Sequence, residues 1–434
     1  MLFDEREKAS KLRMQLHQPD AFQEFKELLS AKLEKISGIN KSCKKFMVHI
    51  MTLYLYLRGR YNFMNMERYG TYSEKSYRNH FSEKFDFMSL NKIMVQDHCS
   101  EHLILAFDPS FIPKSGKETD HCGYFYNGTA SKAMKGLEIG VFAAIDVDNH
   151  TGFALEAIQT PSPNELKEQG KTLTDQYAQL VIDRKEPLQE LSKYLVVDGY
   201  FAKQDFVLPI LKETNLEIIS KLRSDADLKY LHEGTQTGQR GRPKAYDGKV
   251  DVKNIDKKRW HLCYEEGDGK EAIKVYQCIL FSKTLKRNIN VIYLEQCKKN
   301  QPTGKYAILF STDLTLLGKW IYRYYKCRFQ IEFLFRDAKQ HCGLTHCQAR
   351  DEHKMHFHFN ASLMAVSFAK VAFHLQNDNT KKRPFSMADI KNICYNKLLA
   401  DRIIANLEIK PSQQKIKEIY QQIIVLGTIN EMAA

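Results

Sequence analysis

With 434 residues, 43% hydrophobic and 27% charged, the chain is long enough for two or three domains around a sizeable core. Lys and Arg outnumber Asp and Glu by 65 to 52, and the net charge of +13 favours a polyanionic partner, most simply nucleic acid. No membrane is expected: residues 46–57 are too few to span one, and residues 355–376 carry His356, His358, Asn360 and Lys370. The N-terminus alternates acid and base and is no signal peptide, and ten scattered cysteines form no framework. Reduced thiols in a cytoplasm are the expectation.

Residues 1–95 read as mostly helical. Residues 21–36 are amphipathic, and Lys41, Lys44 and Lys45 lead into an apolar run that forms a buried helix. Thr71 to Glu74 resembles a capping box opening a short helix with Lys75, Ser76, Tyr77, Arg78 and His80. That helix suits the recognition element of a helix-turn-helix, and equally a surface helix of a bundle. Residues 103–108 form an apolar strand ending in Asp108, and residues 140–145 and 152–158 an antiparallel pair turning near Asp148 and Asn149. An amphipathic helix over 172–191 delivers the chain to a second buried strand, 194–198, ending in Asp198. Strands joined by a crossover helix make an α/β sheet, whose ligands gather at the carboxyl ends of strands.

From 217 to 312 the pattern turns β-rich, with strand-like runs at 260–264, 273–281, 289–293 and 306–310. Within it, Arg240, Arg242 and Lys244 form a basic loop around Gly241 and Pro243. Its Arg-Gly-Arg-Pro core resembles an AT-hook that fits a narrow minor groove, with a general phosphate contact or a solvated loop as the plainer readings. A long apolar helix covers 355–375, a polar break 377–384, and two helices follow at 387–407 and 415–426. A dimerising tail and a tail packed on the core both remain open.

Residues 325–339 contain no Gly or Pro and read as one helix. Tyr325, Arg328, Glu332 and Lys339 then fall within an arc of roughly 60°, along a stripe of about 21 Å. Phe329, Phe333 and Leu334 point elsewhere and can anchor the helix to a core. Alone, such a stripe is an ordinary solvated ionic face. Its spacing, Tyr-x2-Arg-x3-Glu-x6-Lys, resembles the signature of bacterial insertion-sequence-four (IS-four) DDE transposases. The surroundings of Asp108 (Pro109, Ser110, then Lys114 to Lys117) and of Asp198 (Gly199, Tyr200, Phe201) are similar to that family too. So are Lys221 to Asp225, Phe335 to Leu344 and Gln348 to Arg350, and the likeness spans about 103–350.

The resemblance implies an RNase H-like catalytic core, 96–216 and 313–376, interrupted by a β-rich insertion, 217–312. A helical DNA-binding region, 1–95, would precede it and a helical tail, 377–434, would follow. It singles out Asp108, Asp198 and Glu332 as catalytic, metal-binding carboxylates. Three acids suffice for two Mg²⁺ ions (Mn²⁺ may substitute), because magnesium keeps waters and takes few carboxylates. Arg328 and Lys339 would hold phosphate of the transposon end, as a planar fork and a point charge. Tyr325 would touch the terminal phosphate region, and Arg336, Arg240, Arg242 and Lys244 are further DNA-binding candidates. Trp260, Tyr306 and Trp320 are candidates to stack on a flipped base.

The implied activity is binding of terminal inverted repeats in double-stranded DNA, cleavage there, and joining of 3′-hydroxyls to target DNA, by a homodimer in the bacterial cytoplasm and nucleoid. A hairpin intermediate belongs to part of the class. The rivals are a non-transposing metal-dependent nuclease and an inactive DNA-binding derivative, and three retained acids argue against the second. Zinc is a weaker rival for the crowd from His341 to His358, where no CxxC and no finger spacing occurs.

Overall fold

Five helices lead into the sheet: α1 (Ala21–Glu34), α2 (Lys41–Tyr56), α3 (Phe63–Tyr69), α4 (Glu74–His80) and α5 (Phe87–His98). The computed structural model describes residues 21–116, 118–235, 243–267, 270–299, 301–372, 384–406 and 414–429. Ser73, not Thr71, caps α4, its side chain accepting from the Ser76 amide. The cap therefore falls two residues later than expected and is a simple N-cap, with Ser76 rather than an acid three residues on, and Tyr77 is buried beneath the helix. No described helix is long and apolar enough to cross a membrane.

The chain is mixed α/β, with twelve strands in one sheet among the described residues. Strands β1 (Leu103–Pro113), β2 (Gly123–Asn127), β3 (Lys132–Asp146) and β4 (Thr151–Gln159) are antiparallel neighbours in the order β2-β3-β1, with β4 also on β3. Helices α6 (Pro163–Glu168), α7 (Leu173–Asp183) and α8 (Lys185–Gln189) then lead to β5 (Tyr194–Val196), which runs parallel to β1. The single helix expected over 172–191 is divided at Arg184, just ahead of Pro187, which has no N–H for a continuous ladder. Helix α9 (Gln204–Glu213) follows, and β6 (Glu217–Leu222) lies parallel to β5.

Strands β7 (Leu228–Leu231), β8 (Tyr246–Lys249), β9 (His261–Gly267), β10 (Glu271–Ser282), β11 (Arg287–Lys298) and β12 (Gln301–Ser311) extend this same sheet. The junction is β12, which pairs antiparallel with β6 through Ile308 to Ser311. The strand carrying Asp108 does not end there. It runs on to Pro113, with Asp108 opposite Val141, because β3 is long enough to pair the whole of it. On the other side β5 pairs with β1 only at Leu105 and Ala106. Past that point no described strand pairs with this edge of β1, which tolerates Pro109.

Helices α10 (Gly318–Cys327), α11 (Gln330–His341), α12 (Glu352–Lys370), α13 (Met387–Asn406) and α14 (Gln414–Ile424) complete the chain. Almost all of α12 is buried, and its polar residues explain how it sits against β4. The Asn360 amide accepts from the Ala157 N–H at 2.7 Å and donates to the Ala157 carbonyl at 2.8 Å, closing an open strand edge. Helix α13 docks on α2, where the Lys391 ammonium donates to the Tyr54 and Leu57 carbonyls at 2.8 and 2.9 Å. A cation there satisfies the unpaired acceptors at a helix C-terminus.

Gly343 ends α11 at φ +65°, with the Leu344 amide bonded back to Ala338 at 3.1 Å. A Cβ at this position would lie 2.3 Å from the buried Tyr61 ring. Gly343→Ala should therefore cost about 3 kcal/mol, from left-handed strain and overpacking together. Urea unfolding would read this as a lower midpoint at unchanged slope, and an unshifted midpoint would refute the packing account.

Candidate active site

The three carboxylates come from three elements near the place where β1 and β5 part. Asp108 enters from the middle of β1. Asp198 follows β5, where the chain turns into a short 3-10 turn, Gly199–Phe201, and the Ser220 hydroxyl donates to the Asp198 carbonyl at 2.8 Å. Glu332 lies in the first turn of α11. Burial pushes the Asp108 carboxyl up to about 7, and the negative charges of Glu332, Asp198 and Glu138 add to this against the pull of Arg328. The three acids singled out above thus share one electrostatic neighbourhood. Glu138, a fourth, accepts from the Tyr177 hydroxyl and is itself pushed up by burial. Sequence reasoning missed it, although a lone acid within the apolar run of β3 was a signal.

The signature residues do not lie on one helix. The ladder breaks at Arg328 and Phe329, where the Ile331 and Glu332 amides bond three residues back instead of four, at 3.1 Å each. Leu334 is buried as expected, but Phe329 is 48% exposed and anchors nothing in the core. Both turn residues keep right-handed helical angles, so the interruption tightens the path without reversing it. Tyr325 leans its hydroxyl toward Asp198 at 3.5 Å, too long for a firm bond, and burial pushes its phenol up to about 12. The buried Arg328 guanidinium lies over the Tyr325 ring and donates from Nη2 to Glu332 at 3.2 Å. Its Nε–H is buried with no partner. Lys339 donates to the Ser110 hydroxyl at 2.8 Å, two residues from Asp108 on the same face of β1. Burial holds this ammonium below its ordinary value, with Asp108 opposing the shift.

The other candidates are dispersed. Arg336 pairs with Asp337 at 3.0 Å, and its guanidinium lies 4.7 Å over the Phe333 ring. Lys244 pairs with Asp247 at 3.2 Å beside β8, seven strands from β1; Arg240 and Arg242 lie outside the described residues. Trp260 is buried and bonded to the Tyr230 hydroxyl at 3.1 Å, a core role. Tyr306 stacks on Tyr293, and Trp320 packs edge-on against His102. His358 is taken up by the Tyr54 hydroxyl and the Gly343 carbonyl.

Among the described residues, no three His, Cys, Asp or Glu side chains form a ready-made metal cluster. The donor chemistry still fits magnesium, which takes one or two carboxylates and fills its shell with water and substrate phosphate. Burial first, and neighbouring carboxylates after it, leave Asp108 short of positive charge, which Arg328 and Lys339 supply in part. Asp108, Asp198 and Glu332 are the residues that would hold such an ion.

The profile of the family described as "Transposase DDE domain" matches residues 100–368, well over half of the chain and all three acids. The chain belongs to this transposase family. Among solved structures, the transposase is similar to a piggyBac transposase in a synaptic complex with hairpin DNA, studied by electron cryomicroscopy. The two are 13% identical, the alignment covers 95% of this chain and 84% of the other, and the TM-score is 0.36. No curated protein matches the transposase sequence.

Proposed function

We propose that this DDE transposase is of the IS-four kind. In this reading it binds the inverted ends of its own element, cuts there, and joins the 3′-hydroxyls to target DNA by magnesium-dependent transesterification. In it, residues 96–216 and 313–376, with β1 to β5 and α10 to α12, form an RNase H-like core, residues 217–312, with β6 to β12, the insertion, and a homodimer holds two ends together. What supports this reading is a buried arginine, bonded to Glu332 and acting on Asp108, that keeps an unused N–H. Buried unpaired donors are costly, and a phosphate oxygen is the acceptor a DNA-cutting site brings.

When bound, two divalent ions would activate a water or 3′-hydroxyl and stabilise the leaving oxygen. The chain's own contribution is placement. Arg328 offers its fork to the phosphate while holding Glu332 in place, and Lys339, fixed by Ser110, adds a point charge beside Asp108. Tyr325 closes the Asp198 side with a phenol that burial keeps protonated.

The test uses duplexes taken from the DNA flanking the gene, incubated with the full chain and Mg²⁺. Joined products are expected, with Asp198→Asn, Glu332→Gln or chelation each removing both cutting and joining. Cut but unjoined products would replace this reading by a nuclease, and binding without cutting by a regulator.

A further inference from the structure

The edge hairpin formed by β2 and the start of β3 plays no part in the site described above. Residues 122–137 contain no Asp or Glu, and among the described residues no strand pairs with the outer side of β2. Along β2, Phe125 is buried while Tyr124 and Tyr126 are 68% and 66% exposed. Large aromatics are rarely left in solvent on a strand with nothing to contact. Their direction follows from register. Tyr124 is opposite Lys135 and Tyr126 opposite Ala133, while Asp108 is opposite Val141 on the same uninterrupted stretch of β3. Residues 133, 135 and 141 share one face of β3, and directly paired residues share a face, so both tyrosines and Lys135 lie on the Asp108 side of the sheet.

We propose that this hairpin is a second DNA contact, gripping the strand that runs away from the cleaved phosphate; the proposal rests on the transposase reading above. Tyr124 and Tyr126 lie six and eight residues along the ladder from Asp108, about 20 and 26 Å at 3.3 Å per residue. At about 3.4 Å per nucleotide that is six to eight positions from the cut. The segment at Cys347 to Arg350 is tied to the chain between the end of β1 and the start of β2. The Lys114 ammonium pins it by donating to the Cys347 and Ala349 carbonyls, both at 2.6 Å. The Asp120 amide, just before β2, donates to the Arg350 carbonyl at 3.2 Å, which sets this exposed arginine at the base of the hairpin. The exposed Lys135 supplies a phosphate contact, and the tyrosine rings pack on sugars or on an unpaired base.

The experiment compares the full chain on two end duplexes: one extending well past the cut, the other trimmed to about four base pairs beyond it, short of the hairpin. Tyr124→Ala with Tyr126→Ala should weaken binding to the long duplex about tenfold and leave the trimmed one unchanged, while the double Phe variant keeps affinity. Lys135→Gln should reduce the salt slope on the long duplex by about one. These side chains are exposed, so unchanged melting is expected and serves as the folding control. Equal affinity of the Ala variant for the long duplex overturns the proposal. A change in solution mass without DNA also overturns it, since the open edge of β2 would then serve a second copy of the chain. Wild-type protein that binds neither duplex sinks the transposase reading itself, and this contact with it.

Discussion

Replacing Asp108 by Asn is expected to abolish DNA cleavage and, in metal-free protein, to raise stability at alkaline pH. The first effect follows from removing a carboxylate that would hold divalent metal, a loss of at least about a thousandfold. The second follows from linkage. In the folded chain the Asp108 carboxyl is held near 7, against an ordinary 3.8. Between those values the native state binds more protons than the unfolded chain, so stability falls as pH rises through that window. Above it, ionised Asp108 costs at most about 4 kcal/mol, and less because water still reaches the partly buried group. Asn carries no charge and escapes the penalty. Thermal melts in chelator should coincide near pH 4 and separate by pH 8, with the variant higher. Adding Mg²⁺ should then stabilise the wild type, whose carboxylates it would neutralise, and leave the variant nearly unmoved. A variant that melts lower at pH 8, or still cuts DNA, would contradict this view of the site.

The parts of this chain that could be read in advance are those set by local pattern. The apolar runs over 140–145 and 152–158 mark β3 and β4, and the longer apolar stretch from 355 marks α12, because run length and flanking turns separate buried strands from buried helices. Features decided by distant partners were not visible. Asp108 lies in mid-strand because residues some thirty positions later pair past it. The break at Arg328 and Phe329 has no Gly or Pro to announce it, and no local rule accounts for it. Asn360 looked only like an obstacle to a membrane helix, yet its amide substitutes for a neighbouring strand at Ala157. Nor could spacing show that Glu138 adds its charge to Asp108, or that Arg328 is buried with one N–H to spare. Tyr325, Arg328 and Lys339 still reach toward Asp198, Glu332 and Ser110 across the interrupted helix, whose two break residues keep helical angles.

Arg328 gives the sharpest separation between holding the site together and acting in it. Its guanidinium now does three things: it bonds Glu332 at 3.2 Å, draws the Asp108 carboxyl downward, and keeps Nε unused. Arg328→Ala removes all three. Glu332 is 41% exposed on its side chain, so water takes over much of the lost pairing, and the stability cost should be about 1 kcal/mol. Cleavage should fall far more, by at least about a hundredfold, since a desolvated phosphate loses its planar donor. The Asp108 carboxyl would also rise further without the pull of this guanidinium, so the acid limb of the pH–rate profile should move to higher pH. Arg328→Lys supplies the decisive comparison. An ammonium restores charge near Glu332 and should recover the melting temperature and most of the pH shift. It has no fork and no Nε, so cleavage should stay low, while free guanidinium added to Arg328→Ala should recover part of it. Full cleavage by the lysine variant would mean that Arg328 serves only as a counter-charge, and that its unpaired N–H meets no phosphate.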